Sequence, residues 1–276
     1  MVTTGGAWHL GRMVALDFEA SDKVPETARI VTCALIQLGG GQAADKKTWL
    51  LDPGVEQNPE AVAVHKVTDA YAKEFGTPAE QGVTEIAQAV GYVVRAGLPL
   101  VGHNLGGYDL NLLDAECERH GLGSLAAVCG RPLTRVIDTM TIDRHVVPFR
   151  SRVSATQGAY QMRTTAETYE IGWDEAKAHG AEYDAMASAR VAWWMGEIAH
   201  RPAADRPAWV RALRYRDHFD DLAGLSLDEL FDRQQVWHAQ WAAGYEAHLR
   251  KSSNPDAVID RSWPLKARAV AEAVSS

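Results

Sequence analysis

Met13-Val14-Ala15-Leu16-Asp17-Phe18-Glu19 is a short apolar run that ends in two acids two residues apart. The run has the character of a buried strand, expected over Arg12 to Glu19. In a strand, positions i and i+2 project from the same face, so Asp17 and Glu19 point together. Two adjacent carboxylates beside a buried sheet repel each other and lose solvation, so they need a cation or a shared proton. Hard divalent cations with oxygen ligands answer that need.

Around this strand the pattern extends in both sequence and kind. Ala28 to Leu38 reads as a second strand ended by Gly39-Gly40-Gly41, and Lys47 to Leu51 as a third closed by Asp52-Pro53-Gly54. From Pro78 the period becomes helical, with Val83, Ile86, Ala87, Val90, Val93 and Val94 on one face and a stop at Gly97 and Pro99. Leu98 to Gly102 is a fourth strand, a helix follows as far as Gly121, and Arg135 to Asp138 is a short fifth strand. A meander followed by strand-helix-strand alternation predicts an α/β domain with a mixed five-stranded sheet and flanking helices. Further helices are expected at about 154–170 and 181–200. Pro202 and Pro207 mark a connector, which divides the chain into a domain over 1–200 and a helical extension over 201–276.

At 46% hydrophobic and 23% charged residues, the 276-residue chain has the composition of a globular protein, which excludes disordered and fibrous classes. Its net charge is -8, and residues 201–276 hold 11 basic and 11 acidic groups, so the whole deficit lies in residues 1–200. Any nucleic acid must therefore be held locally rather than by the surface at large. No apolar stretch approaches the ~20 residues of a membrane span, and the opening residues lack a basic segment, a continuous apolar core and a small-residue cleavage site. The expectation is a cytoplasmic protein with no membrane contact. Cys33, Cys117 and Cys129 are widely spaced and read as reduced, buried thiols.

Two more acids stand where they can join the first pair. Asp109 follows the fourth strand through a Gly106-Gly107 loop, and Asp184 opens the helix after His179. A strand end and two helix starts can converge at one edge of a sheet, and four such acids can hold two metal ions about 3.5–4 Å apart for in-line displacement at phosphorus. His179, five residues before Asp184, belongs to the loop that feeds the helix. A histidine side chain there can take a proton from water.

In this ordered set the chain resembles the DEDD exonucleases of the ribonuclease-H-like fold, in the histidine-containing branch (DEDDh) that includes the proofreading epsilon subunit of bacterial replicative polymerase. Asp17-Phe18-Glu19 is similar to the first motif, Gly102-His103-Asn104 with Tyr108-Asp109 to the second, and His179-Gly180-Ala181 with Asp184 to the third. The likeness covers residues 12–200. It implies a two-metal 3′-to-5′ exonuclease that releases nucleoside 5′-monophosphates from single-stranded ends, DNA favoured, with two Mg2+ or Mn2+ ions held by Asp17, Glu19, Asp109 and Asp184 and with His179 as general base. It further implies single-stranded DNA or RNA 3′ ends as partners, and a polymerase or other replication and repair proteins. An exoribonuclease of the same superfamily and a non-catalytic nucleic-acid-binding module are the alternatives. Ala20-Ser21-Asp22 stands where the family usually has Thr-Thr-Gly, the loop from His103 to Asp109 is one residue longer than the family pattern, and Lys66 stands where glycine is common.

Substrate contacts are assigned to Phe18, His65, Asn104 and Tyr108. Val64-His65-Lys66-Val67-Thr68 is similar to the family's motif against the terminal nucleotide, although His65 can equally pack beside the following turn. Phe18 and Tyr108 carry rings able to stack on bases, but Phe18 points away from its neighbouring acids, which favours the core. His103 reads as a brace for the glycine-rich loop. Six arginines against two aspartates between Arg131 and Arg163 form either a backbone-binding rim or a solvated basic loop. Trp237, Trp241, Tyr245 and Leu249 make an aromatic stripe at helical spacing, expected to bury itself. Ser226 and Glu229 have the spacing of a capping box.

Overall fold

The computed structural model describes residues 7–267; residues 1–6 of the expected domain and 268–276 of the expected extension lie outside the described residues. Strands β1 (Arg12–Ala20), β2 (Ile30–Gly39) and β3 (Asp45–Asp52) form the antiparallel meander read from the sequence. Helices α1 (Pro59–His65) and α2 (Asp69–Phe75) follow, then the two-residue strand β4 (Thr77–Pro78), helix α3 (Ala79–Arg95) and strand β5 (Leu100–Gly102). Helices α4 (Asp109–Arg119) and α5 (Leu125–Cys129) lead to β6 (Val136–Asp138). The order β4-β3-β2-β1-β5-β6 makes a mixed six-stranded sheet, in which β1 is antiparallel to β2 and parallel to β5. The strand beyond the expected five is β4, whose two residues pair with Leu51 and Asp52 and are too few to show any periodicity.

Alternation along β1 sends its side chains into two separate cores. Val14, Leu16 and Phe18 pack on the face covered by α3, α4 and α5, whereas Met13 and Ala15 pack on the opposite face. That opposite face is covered by α6 (Thr139–Val146), α7 (Met162–Thr168) and α8 (Ala181–His200). Helix α8 has the bounds expected from its pattern. The helix expected at about 154–170 is shorter: Ser154 Oγ accepts the backbone N–H groups of Thr156 (3.2 Å) and Gln157 (3.0 Å), and this local turn replaces the helical ladder before Met162.

Beyond α8 the chain turns through α9 (Ala208–Arg211) and a 3-10 segment over Arg216–Leu222 into the long α10 (Leu227–Ser252). Ser226 and Glu229 form the capping box at its start. Phe231 of α10 enters the first core, while Leu230 and Trp237 enter the second. Between them sits Gln234, fully buried, whose Oε1 accepts the N–H of Asp138 (2.8 Å) and whose Nε2 donates to the Val136 carbonyl (2.8 Å). Among the described residues no helix is long and apolar enough to cross a membrane.

Gln234→Ala leaves one buried donor and one buried acceptor of β6 without partners, each worth roughly 1–3 kcal/mol. Urea unfolding is expected to show a loss of about 3 kcal/mol. A midpoint equal to that of the unsubstituted chain would show that this amide does not hold α10 to the sheet.

Candidate active site

Asp17 and Glu19 project from the same face of β1, opposite Ala34 and Thr32 of β2, and the pairing register slips directly after Glu19. That face lies under the first turn of α8, which supplies Asp184. One oxygen from each of Asp17, Glu19 and Asp184 lies within 4.8 Å of the others. Asp109 opens α4 and reaches the same strand end from the other side, where its Oδ1 accepts the Phe18 N–H at 3.1 Å. All four acids foreseen in the sequence are therefore brought together.

Their electrostatics follow from crowding. Burial pushes the Asp17 carboxyl well above its usual range, and the charges of Asp109, Glu19 and Asp184 push it further. Burial, then Asp184 and Asp109, raise Glu19 to about 8. Asp109 is raised to about 8 by burial, although the N–H groups of Phe18 and of Asp109 itself pull the other way. Burial raises Asp184 to about 6, opposed by the charge and the backbone N–H of His179. Asp184 Oδ1 is also buried without a hydrogen-bond partner. Among the described residues no lysine or arginine forms an ion pair with any of these four acids. Convergent oxygens, mutual repulsion and an orphaned oxygen fit a hard divalent cation.

His179 is exposed and adopts the left-handed conformation, φ 62°, one residue before the N-cap of α8. Its side chain joins Glu19 and His65 in lining a cleft of about 670 Å³ between β2, β3 and the start of α8. His65 ends α1; its Nδ1 accepts the Val67 N–H at 3.1 Å, its Nε2 is buried, and burial lowers its pKa. The next residue, Lys66, has φ 65° at the helix C-cap, a left-handed position that glycine fills without strain. The structure thus places His179 and His65 at one cleft with Glu19.

The remaining expected contacts lie elsewhere. The Phe18 ring is 6% exposed within the first core, so the base-contact expectation for it is corrected to a packing one. Tyr108 packs against the same core and its hydroxyl donates to the Asp22 carbonyl. Asn104, at φ 70°, donates its N–H to Asp138 Oδ1 at 2.8 Å and shapes the loop rather than lining the cleft. His103 braces that loop as expected, with Nδ1 at 2.8 Å from Thr139 Oγ1 and Nε2 at 2.8 Å from the Tyr160 carbonyl. Three of the six arginines in the basic stretch are taken up by acids: Arg150 grips buried Asp143 with two 2.7 Å bonds, Arg135 pairs with Asp228, and Arg163 pairs with Glu167 and Glu175, whereas Arg131, Arg144 and Arg152 make no ion pair among the described residues. The sequence reading passed over Arg190, which lines the cleft and makes no ion pair among the described residues. Its signal was the helical spacing of Tyr183, Met186 and Arg190 beside Asp184.

A sheet of this topology with acids gathered at the end of its central strand defines a nuclease of the ribonuclease-H-like class. A sequence model of the RNase T exonuclease family matches residues 14–192, and the chain belongs to that exonuclease family. The family normally uses divalent metal ions. No curated protein sequence matches the chain. Among solved structures it is similar to Escherichia coli exonuclease I in complex with a dT13 oligonucleotide, at 15% identity and a TM-score of 0.53 over 66% of this chain and 40% of that one. The product-bound structure of exonuclease I gives 14% identity and a TM-score of 0.55, over 68% and 43% of the two chains. The ExoI/SSB-Ct complex gives 14% and 0.52, over 68% and 41%. The chain thus matches about two fifths of the length of these proteins.

Raised carboxylate pKa values set the sign of a pH dependence. Protons bind these acids more tightly in the folded chain than in the unfolded one, so the metal-free fold is most stable below about pH 4 as far as these groups act. That contribution is lost as pH rises through the folded values of about 6 to about 8. The metal-free melting temperature is expected to fall across this window, and Mg2+ or Mn2+ is expected to remove the fall. Asp17→Asn should raise the metal-free value at pH 8 by about 3 °C, the shift that roughly 1 kcal/mol gives in a chain of this size. A rise no larger than that of the exposed control Asp45→Asn would show that the carboxylates do not strain the fold.

Proposed function

We propose that this chain is a metal-dependent 3′-to-5′ exonuclease of the histidine-containing DEDD branch, similar in its motifs to the proofreading epsilon subunit, that removes nucleoside 5′-monophosphates from single-stranded ends, DNA favoured. The observation that carries this reading is the meeting of Asp17, Glu19 and Asp184 oxygens within 4.8 Å, with Asp109 bonded to the same strand end and His179 at the adjoining cleft. The fold likeness to exonuclease I, solved with dT13, supports single-stranded DNA as the substrate class. In this reading residues 1–200 carry the chemistry and 201–276 form an extension that supports it. Replication and repair proteins are the proposed partners.

The chain's residues divide the work. Asp17, Glu19, Asp109 and Asp184 would hold two divalent ions, which when bound supply charge neutralisation at the scissile phosphate and acidify the attacking water. His179 accepts the proton released as that water attacks phosphorus. Its exposed position on a left-handed residue lets the ring reach the cleft without entering the crowded carboxylates. As the new P–O bond forms, the bond to the 3′ oxygen of the preceding nucleotide breaks, and that oxygen takes a proton from solvent, leaving a shortened strand with a 3′-hydroxyl. His65 and Arg190, which line the same cleft, would meet the terminal nucleotide and its phosphate.

The test is a time course on 5′-labelled single-stranded DNA and RNA of one sequence, with Mg2+, Mn2+ or chelator. A ladder shortening from the 3′ end, present only with metal, is expected for DNA. His179→Ala should slow it by about 10²–10⁴-fold, the range of a lost general base, and Asp17→Ala should abolish it. RNA shortened faster than DNA would reassign the substrate to RNA. Failure to shorten either strand, while either metal still raises the melting temperature, would overturn the exonuclease reading.

A further inference from the structure

A second cleft, of about 710 Å³, lies away from the acids between α6, the segment before α7 and the middle of α10. Its walls contain two arginines, three histidines, six aromatic rings and no acid, in a chain whose net charge is -8. Such a lining repels cations and offers flat apolar faces beside positive charge.

Most polar groups in this cleft are already satisfied. Arg150 is held by Asp143, and His145 bonds Asp221 at 2.8 Å while stacking between His218 and Trp237, at 4.8 and 4.0 Å between ring centres. Arg144 differs. Its guanidinium carbon sits 3.7 Å from the centre of the Trp241 ring, it forms no ion pair among the described residues, and its Nε is buried without a hydrogen-bond partner. Trp241 in turn stacks on Tyr245, which is 42% exposed, with centres 5.5 Å apart and planes 15° from parallel. Across the opening Phe149 is 84% exposed at φ 60°, its ring 5.8 Å from Tyr215. An unsatisfied guanidinium between half-open rings suits a ligand that carries an anion next to a flat apolar group.

We propose that this cleft is a nucleotide subsite, in which a base stacks on the Trp241–Tyr245 or Phe149–Tyr215 rings and its phosphate meets Arg144. The proposal rests on the nuclease reading of the acid cluster, since that reading supplies a strand in need of a hold away from the cut. The occupant is a nucleotide, either a unit of the strand upstream of the cleaved end or a free nucleoside 5′-monophosphate. The cleft is also fixed to the first site: the carbonyl of Tyr160, which lines it, is the partner of His103 Nε2, and His103 opens the loop that delivers Asp109. A strand held here bears on the protein through a wall that is hydrogen-bonded to the catalytic loop.

Binding is measured with chelator present, by anisotropy of a 5′-labelled oligonucleotide of about ten nucleotides. Trp241→Ala is expected to weaken it about tenfold, Trp241→Phe to restore most of the loss, and Arg144→Ala to lower the slope of log Kd against log salt by about one phosphate contact. With metal, both alanine variants should raise KM for the long strand and leave the cleavage of a dinucleotide unchanged. Nucleoside 5′-monophosphate that quenches tryptophan in the unsubstituted chain, but not in Trp241→Ala, would assign the cleft to free nucleotide as well as strand. Equal affinity in all variants overturns the subsite, as does binding of an acidic peptide where nucleotides do not bind. Loss of dinucleotide cleavage in the unsubstituted chain would instead overturn the exonuclease reading while the chelator measurements still decide the cleft.

Discussion

The carboxylate of Asp138, buried at the end of β6, is the point on which the site hangs. Its Oδ1 accepts the N–H groups of Asn104 (2.8 Å), Met140 (3.0 Å) and Thr141 (3.4 Å), and its Oδ2 those of Gly106 (3.1 Å) and the Trp263 indole (3.4 Å). A buried carboxylate holds its place when its lone pairs are filled by N–H donors of this kind. These bonds cap α6, fold back the loop that carries Asp109 to the strand end, and tie the last described turn of the chain to the sheet. Gly106 has no room for a side chain because the Trp263 ring occupies the place of its Cβ. Asp138 also adds its negative charge to those acting on Asp109. One structural acid thus sets both the position and the charge of a candidate catalytic one.

This arrangement separates two uses of buried charge within one sheet edge. Asp143, like Asp138, is fully supplied: Arg150 twice, Thr165 Oγ1 and the Tyr169 hydroxyl all donate to it. Asp17, Glu19 and Asp184 are not, and the opposition to their repulsion comes from His179, through its charge and its backbone N–H at Asp184. The contrast between supplied and unsupplied acids, a few residues apart in the fold, is what distinguishes a structural carboxylate from a ligand in waiting.

The parts of this design that rest on local geometry were legible in the chain. Asp17 and Glu19 share a face because strands alternate, Asp184 begins a helix whose bounds follow from its apolar period, and Ser226 with Glu229 announces a cap. What escaped the reading depends on partners far away in sequence. Asp138 looks like the end of a short strand until residues 104, 106 and 263 arrive around it. Arg135 reads as free until Asp228 meets it, and β4 has too few residues for any period. For Phe18 the motif and the strand period disagree: the motif assigns it to substrate, while the alternation that gathers its neighbours favours the opposite core, where it lies.

The buried glutamine near the start of α10 bears on how molecules of this protein meet one another. β6 is the last strand of the sheet, and an unpaired outer strand is a template on which another chain can add by hydrogen bonding. The Gln234 amide presents one acceptor and one donor to Asp138 and Val136, as a neighbouring strand would. At the far side of the sheet the outermost strand is two residues long and contains Pro78, which has no N–H to offer. The β6 margin is therefore closed to strand addition by a side chain imitating backbone, whereas at the other margin β4 covers only Leu51 and Asp52 of β3 and leaves the outer edge of Asp45–Leu50 without a strand beyond it.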